Sequence, residues 1–287
     1  MKRSQRERYA EGIERVVDHL AIHAAEDPAP SLEALARLAH LSPFHFHRVY
    51  RLMTGETPAQ TLRRLRLARS LPTLENGVTA AAGAAGYASS AAYTRALKGE
   101  TGMTGRQAAD PAERRALAER LRRPATAEGT HAIDVQVRSF EPFEVVAQRN
   151  LGPWEALNDA YTRLFDAVLT RVEPDRILGI WGVPVDDPSS VEESACRFDC
   201  ALALDGPASQ APAPGLAVLR LGGGEVAGTV HRGAYEGLGS TLDALVLAVI
   251  DTLDRALGDA PPFVHYRHDP EETDEAELEA EIYVPLA

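Results

Sequence analysis

The chain has 287 residues, of which 45% are hydrophobic, and a formal net charge of −12. The length favours two domains, and no stretch approaches the ~18 uncharged apolar residues of a membrane-spanning helix, so a cytoplasmic protein without a membrane partner is expected. The charge is unevenly divided: residues 1–123 carry 20 Lys and Arg against 13 Asp and Glu, whereas residues 124–287 carry 10 against 29. A basic first part favours contact with a polyanion, and the acidic remainder favours a different task.

The first part is predicted to be helical from its apolar periodicity. Apolar residues recur at helical spacing over Arg6–Ala25, and Ser31 is a suitable N-cap for a second helix over Leu32–Ala39. A short turn at 40–42 separates this helix from a third over Phe44–Met53. Two short helices joined by such a turn, the second with a cationic outer face, predict a helix-turn-helix motif whose second helix lies in the major groove of DNA.

The third helix carries two groups of side chains. Its spacing predicts a core face and a polar face that points outward, with Phe46, Val49 and Tyr50 on the first and His45, His47, Arg48 and Arg51 on the second. After a long Arg-rich helix that begins near Pro58, the pattern starts again. A small-residue helix is predicted over Val78–Ala85 and, capped by Ser89, an outward helix over Ser90–Lys98. The sequence therefore predicts two helix-turn-helix motifs in an all-α first domain.

The stretch from Ser31 to about Asp110 resembles the double helix-turn-helix domain of the AraC/XylS family of transcription activators. The resemblance is carried by "LEALARLAHLSPFHFHRVYRLMTGETPAQTLRRLRLARS" and "AAGAAGYASSAAYTRALKGETGMT", and it departs from the family at "TGRQAAD". It implies that the second helix of each motif contacts DNA, through Phe44, His45, His47, Arg48 and Arg51 in the first and Ser90, Ala91, Thr94, Arg95 and Lys98 in the second. Arg51 and Lys98 would contact phosphates, and the other side chains would read base edges. The alternative for these side chains is that they lie on a solvated helix face, and a packing role is a further alternative for Phe44.

A domain boundary is predicted by composition. The segment "PATAEGT" at 124–130 is typical of a linker, which divides a domain over 1–123 from a second over 131–287. Strands are predicted at Ile133–Val137, Val145–Asn150 and Cys200–Leu204, with a helix between the last two that runs from Glu155 to about Arg171. The second domain is therefore expected to belong to the α+β class.

The second domain contains an internal repeat. "RNLGPWEAL" at 149–157 parallels "VHRGAYEGL" at 230–238, an offset of 81 residues from Trp154 to Tyr235, and a Asp-Pro turn recurs at Pro188 and Pro270. Two copies of strand, helix, strand, strand are implied. Such copies can pair into one antiparallel sheet with both helices on one face, which leaves the other face for a ligand.

This arrangement resembles the GyrI-like, or Rob-like, effector-binding domain over about 131–287. The features that carry the resemblance are the two "G-x-(W/Y)-E-x-L" strand exits, the two Asp-Pro turns and the closing "EAEIYVPL". The resemblance implies a groove in which aromatic side chains and a carboxylate hold a small cationic or apolar effector. The counterparts in this sequence are Trp154, Trp181, Tyr235, Tyr266 and Glu281.

The last strand supports a carboxylate in the groove. Its period of two predicts that Glu277, Glu279, Glu281 and Tyr283 share one face and that Leu278, Ala280, Ile282 and Val284 share the other. A partly buried carboxylate among aromatics is a cation receptor, although a solvated position is the alternative.

Three functions follow from these patterns. The first is a non-enzymatic transcription regulator that binds an operator in double-stranded DNA and a small-molecule effector, with RNA polymerase as a partner if it activates. The second is a GyrI-like hydrolase with Glu281 as general base, and the third is a drug-sequestering or protein-inhibiting module. Cys196 and Cys200 have no His or Cys cluster beside them, so neither a metal site nor another cofactor is indicated.

Overall fold

The computed structural model describes residues 3–24, 28–122, 133–208 and 215–287. The chain forms two compact units, of which the first comprises Met1–Arg8, Leu41–Val49 and Gly129–Ala287 and the second comprises Tyr9–His40 and Tyr50–Glu128. The predicted linker at 124–130 lies outside the described residues. Two short N-terminal segments thus belong with the C-terminal part of the chain.

Helices occupy the described residues before 123, as predicted. They are α1 (Gln5–Ile22), α2 (Leu32–Ala39), α3 (Pro43–Thr54), α4 (Pro58–Ser70), α5 (Val78–Ala84), α6 (Ser90–Thr101), α7 (Gly105–Ala108) and α8 (Pro111–Arg122). The predicted caps are present, because Ser31 accepts from the amide of Ala34 at 3.3 Å and Ser89 accepts from the amide of Ala92 at 3.2 Å. These hydroxyls satisfy amides that have no partner inside the first turn of a helix.

Helix α4 supports two other elements of the second unit. The hydroxyl of Tyr50 lies 2.6 Å from Oγ1 of Thr61, and the hydroxyl of Tyr93, on α6, lies 3.0 Å from Oγ of Ser70. Thr61 and Ser70 both belong to α4. The core around α4 and α6 is built from Leu67, Leu71, Leu74, Ala81, Tyr93, Leu97, Leu117 and Leu121. A single helix therefore anchors a tyrosine from each helix-turn-helix motif.

The first unit contains one antiparallel sheet of eight strands. They are β1 (Gln136–Phe140), β2 (Phe143–Leu151), β3 (Ile177–Pro184), β4 (Arg197–Leu204), β5 (Ala217–Leu221), β6 (Gly224–Arg232), β7 (Phe263–Tyr266) and β8 (Glu279–Pro285), with α9 (Leu157–Leu169) and α10 (Leu238–Asp251) between them. The order across the sheet is β1-β6-β8-β7-β3-β4-β2-β5. The predicted two-domain fold, with strand-helix-strand-strand repeats in an antiparallel sheet, is confirmed.

Each repeat has one strand more than the repeated strand-helix-strand-strand pattern indicated, and the strand predicted at Ile133–Val137 overlaps the first of these, β1. The additional strands, β1 and β5, pair with the second strand of the opposite copy, since β1 lies beside β6 and β5 beside β2. This exchange ties the two copies into one sheet. The first predicted strand was misplaced, because β1 begins at Gln136 rather than Ile133, and Glu277 lies in a 3₁₀ turn before β8.

Helices α9 and α10 lie on one face of the sheet, here called the helix face. Tyr161 of α9 lies against Tyr266 of β7 with ring centroids 5.7 Å apart, and Tyr235, just before α10, lies against the same ring at 5.0 Å. The other side, called the second face, carries an apolar cluster that includes Val145, Trp181, Val183, Phe263 and Tyr283. The N-terminal end of the chain also contacts α10, because Arg6 forms an ion pair with Asp251 at 2.6 Å.

Candidate nucleic-acid interface and effector site

Helix α6 presents the residues predicted to contact DNA in the second motif. Ala91, Arg95 and Lys98 are exposed, at a spacing of three or four residues that places them on one side of the helix. Thr94 and Ser90 are half-buried beside them, and the hydroxyl of Thr94 donates to the carbonyl of Ser90 at 2.8 Å. Tyr93 and Leu97 point the opposite way into the core. The helix therefore offers two cationic side chains to a partner.

The turn before α6 fixes the direction of that helix. Gly86 has a φ of +75°, which favours glycine because a Cβ would be strained there. The amide of Tyr87 donates to the carbonyl of Ala82 at 2.9 Å and satisfies a carbonyl at the end of α5. In the first motif the corresponding turn begins at His40, which also has a positive φ, of +55°.

Helix α3 differs from the prediction on its polar face. Phe46, Val49 and Tyr50 are buried as expected, but His45 and Arg48, predicted to point outward, are only 1% and 4% exposed. The other residues of the first motif that were predicted to contact DNA are half-buried: Phe44, His47 and Arg51. The physical reason is that His45 and Arg48 contact residues far away in the sequence, and helical periodicity cannot predict such contacts.

The guanidinium of Arg48 lies against acids of the first unit. Its Nη1 donates to the carboxylate of Asp243 on α10 and lies 3.4 Å from the carbonyl of Gly239. Its Nη2 lies 3.8 Å from Oδ1 of Asp187, just after β3. Nε2 of His45 lies 3.0 Å from the carbonyl of Ala260, and desolvation lowers the pKa of this imidazole to about 4.

On the second face, three side chains form a row across neighbouring strands. Trp181 on β3 pairs with His265 on β7, and His265 pairs with Glu281 on β8. The Trp181 and His265 rings stack with centroids 4.1 Å apart and planes 5° apart. Phe143 lies against the Trp181 ring, with centroids 4.8 Å apart. The row combines flat aromatic surfaces with a carboxylate, a chemistry that suits an aromatic or cationic ligand.

The Glu281 carboxylate has several donors around it. Nη2 of Arg267 lies 2.6 Å from its Oε2, Nδ1 of His265 lies 3.5 Å from Oε2, and Nη1 of Arg138 lies 3.5 Å from Oε1. Burial opposes its ionisation, but the hydroxyl of Tyr283 and the charge of Arg267 outweigh burial and hold the pKa of Glu281 below its ordinary value. Burial, together with Arg267, lowers the pKa of His265. The site therefore contains an ionised carboxylate beside a neutral imidazole at neutral pH.

The two repeats differ at the position of this carboxylate. In the first copy Asp199 pairs across the strands with Arg149, which donates twice to it at 2.7 Å. In the second copy Glu281 pairs with Val230, so the neighbouring strand supplies no cation. The carboxylate of the first copy is thus paired with an arginine on the adjacent strand of the same copy. The carboxylate of the second copy is paired instead with Arg267 and Arg138.

The five residues predicted to bind an effector divide between the two faces. Trp181 and Glu281 lie on the second face, joined by His265, while Tyr235 and Tyr266 meet on the helix face. Trp154 lies against Phe198, 5.4 Å away, in the apolar cluster under α9. The predicted effector set left out His265, Arg267 and Arg138, which only the tertiary structure places around Glu281, and it also left out Tyr283. The alternation along β8 was the one signal that could have added Tyr283 to the set.

Comparison with known proteins supports both halves of this description. A helix-turn-helix domain family matches residues 35–109, and the family of the GyrI-like small molecule binding domain matches residues 133–287. The bifunctional transcriptional activator and DNA repair enzyme Ada of Escherichia coli K12 is 36% identical over 94 residues, 32% of this chain and 26% of Ada. The chain thus spans about a quarter of the length of that relative.

Two solved structures are similar to about half of this chain. The C-terminal domain of EcmrR is 14% identical, with a TM-score of 0.45 over 55% of this chain and 99% of that one. The protein SAV2435 bound to tetraphenylphosphonium is 12% identical, with a TM-score of 0.39 over 54% of this chain and 94% of that one.

The chain therefore combines a helix-turn-helix domain with a GyrI-like small molecule binding domain. The chain belongs to the GyrI-like family, whose model matches more than half of its length. Both resemblances inferred from the sequence are confirmed. Among the described residues no helix is long and apolar enough to cross a membrane, and both cysteines are free and buried.

Proposed function

We propose that the protein is a sequence-specific regulator whose affinity for operator DNA is changed by a small apolar or cationic effector on the second face of the sheet. The observation that carries the proposal is the combination of an exposed cationic recognition helix, α6, with an aromatic row that ends in a carboxylate. RNA polymerase is a further partner if the protein activates transcription.

The DNA-binding part of the proposal rests on α6. Arg95 has the fork of donors that pairs with guanine O6 and N7, and Lys98 suits a phosphate. Ser90, Ala91 and Thr94 provide small side chains beside them that let the helix approach base edges. In the first motif, Phe44, His45, His47, Arg48 and Arg51 form the corresponding set once α3 is accessible.

The effector part rests on Glu281 and its row. The carboxylate is 12% exposed, and Val230 opposite it leaves no cation in its strand pair. A ligand cation beside Glu281, at the end of the aromatic row, would displace Arg267, whose side chain is 48% exposed. A carboxylate with a lowered pKa is a weak proton acceptor, which favours a binding role over the general-base role of a hydrolase.

The experiment is binding of the purified chain to fragments from its own promoter region over a salt series. We expect selective binding to one fragment that weakens steeply as salt rises, and a loss of about tenfold or more with Arg95→Ala. Arg220→Ala, which removes the same charge from exposed strand β5, is the control and should change affinity less than twofold. Equal binding to all fragments, or equal effects of the two variants, would refute the DNA-binding proposal.

The effector site is tested with a lipophilic aromatic cation, tetraphenylphosphonium, titrated against tryptophan fluorescence. We expect saturable quenching that Glu281→Gln weakens about tenfold, whereas Glu277→Gln, at an exposed position before β8, leaves it unchanged. Quenching that is identical in the three proteins would contradict the assignment of Glu281.

A further inference from the structure

The segment Leu41–Val49, which contains the first half of recognition helix α3, packs within the same compact unit as the sheet. Its polar residues are the ones predicted to read DNA, yet His45 and Arg48 are almost fully buried there. A guanidinium that contacts a base needs its fork of donors unoccupied and accessible. The observed position of Arg48 therefore does not allow base reading.

The contacts of Arg48 with two carboxylates resemble the contacts that an arginine makes with acceptors on DNA. Asp243 accepts from Nη1, and Asp187 lies 3.8 Å from Nη2, so two acids flank one guanidinium as phosphate or guanine acceptors would. Asp187 has a side chain 1% exposed, and that of Asp243 is 21% exposed. Because both acids come from the part of the chain with a strong negative charge, the surface competes with a polyanion for the same cation.

The neighbouring residues of α3 are held as well. The imidazole of His45 contacts the carbonyl of Ala260 at 3.0 Å, just before β7. Phe44 packs against the apolar cluster of the second face, which contains Trp181. Three of the five residues predicted to contact DNA in the first motif thus have partners inside the first unit, through an ion pair, a hydrogen bond and an apolar contact.

We propose that Asp187, Asp243 and the Ala260 carbonyl form an autoinhibitory surface that holds the reading face of α3 in competition with operator DNA. In the held state DNA is contacted by α6, and release of Leu41–Val49 adds the first motif. Because Phe44 packs on the cluster that contains Trp181, an effector that repacks this cluster would favour release. The inference rests on the proposed function and deepens it by naming the regulation of the DNA site.

The test is the isosteric variant Asp243→Asn in the full chain, measured by affinity and by hydroxyl-radical footprinting on the selected fragment. Weakening the acidic surface should tighten binding three- to tenfold and extend the protected region by about 10 base pairs, one turn of the duplex. Asp166→Asn, which removes the same charge from an exposed position of α9, is the control for a general loss of negative charge. It should tighten binding less than twofold and leave the footprint unchanged.

Two further variants make the outcome specific. Asp187→Asn should act in the same direction with a smaller gain, because its oxygen is farther from Arg48. Adding Arg48→Ala to Asp243→Asn should cancel the gain and return the footprint to its original length, since the released helix would lack its reader. A purely structural role for Asp243 would instead lower affinity in both backgrounds.

The failure of this inference is distinguishable from that of the proposed function. If the wild-type chain shows no selective binding, the proposed function fails. If it binds selectively but Asp243→Asn and Asp166→Asn give the same affinity and footprint, the autoinhibitory surface is refuted and the regulator remains.

Discussion

The two recognition helices have similar sequence patterns and different surroundings. Both place aromatic and aliphatic residues inward and cations on the polar face, and both are tied to α4 through a tyrosine hydroxyl. Arg95 on α6 is exposed, whereas Arg48 on α3 is 4% exposed and paired with acids. The difference teaches that a helix-turn-helix pattern specifies the shape of the motif but not whether its reading face is accessible.

The largest expected effect comes from removing the support that both helices share. Arg64 donates to both carboxylate oxygens of Glu56, and the two side chains are only 5% and 9% exposed. Arg64→Met leaves a buried carboxylate without its cation, so the free energy of unfolding should fall by about 3–5 kcal/mol. Urea denaturation measures the loss. Arg63→Met, at the exposed neighbouring position, should change the free energy of unfolding by less than about 0.5 kcal/mol. Equal losses in the two variants would contradict the role of α4 as the support that both helices share.

Acidification should break the difference between the helices. The docked α3 requires a neutral His45, whose pKa is lowered from 6.5 to about 4 by burial, with Arg48 adding to the shift. Docking is therefore fully favoured above pH 6.5 and weakens as the pH falls from 6.5 towards 4. At pH 5.5 the docked state should be about tenfold less favoured than at pH 7.5.

The measurement is an NMR titration of the histidine rings. The His45 resonance should titrate near pH 4 in the wild-type chain and at a higher pH in Asp243→Asn, where release exposes the imidazole. The matched variant Asp166→Asn should keep the low value. A His45 pKa near 6.5 in the wild-type chain would show that α3 is not held.

The tyrosine anchors allow a smaller comparison. Tyr50→Phe removes a hydroxyl 2.6 Å from Thr61, and Tyr93→Phe removes one 3.0 Å from Ser70. Each variant leaves a buried hydroxyl without this partner, so each should lower the unfolding free energy by about 1 kcal/mol. Thermal denaturation of the two variants is the test. A loss in only one of them would mean that α4 does not anchor the motifs equivalently.

The smallest expected effect concerns salt dependence. Lys98→Ala removes a phosphate contact from exposed α6 and should lower the slope of log affinity against log salt by about 0.9. Arg51→Ala should leave the slope unchanged in the wild-type chain and lower it by the same amount in Asp243→Asn, where α3 is released. Equal slopes for Arg51→Ala in the two backgrounds would show that release does not bring α3 to the phosphates.

Much of the fold could be predicted because its determinants are local. The caps at Ser31 and Ser89 and the core positions Phe46 and Tyr50 depend on residues within one or two helical turns, and the structure has them as predicted. The additional strand β5 escaped detection because it pairs with the opposite copy, whereas the strand predicted at Ile133–Val137 begins three residues before β1. The short, largely exposed segment of β5 shows little hydrophobic alternation, so only the complete sheet defines it.

The candidate effector site was partly predictable for a similar reason. The alternation in the last strand placed Glu281 and Tyr283 on one face, but Trp154, Tyr235 and Tyr266 lie on the helix side. Period-two reasoning applies within a strand and does not relate one strand to another. His265 therefore enters the site only through the register of β7 with its neighbours.

By itself the sequence determined two helix-turn-helix motifs, a tandem α+β repeat and the family of each. Helical periodicity, caps and a repeated motif depend on residues that are close together in the sequence, so they can be recognised without the tertiary structure. Tertiary structure alone decided that Arg48 is paired while Arg95 is exposed. Asp243 lies 195 residues from Arg48, and only folding brings an acid across that separation to the face of the helix.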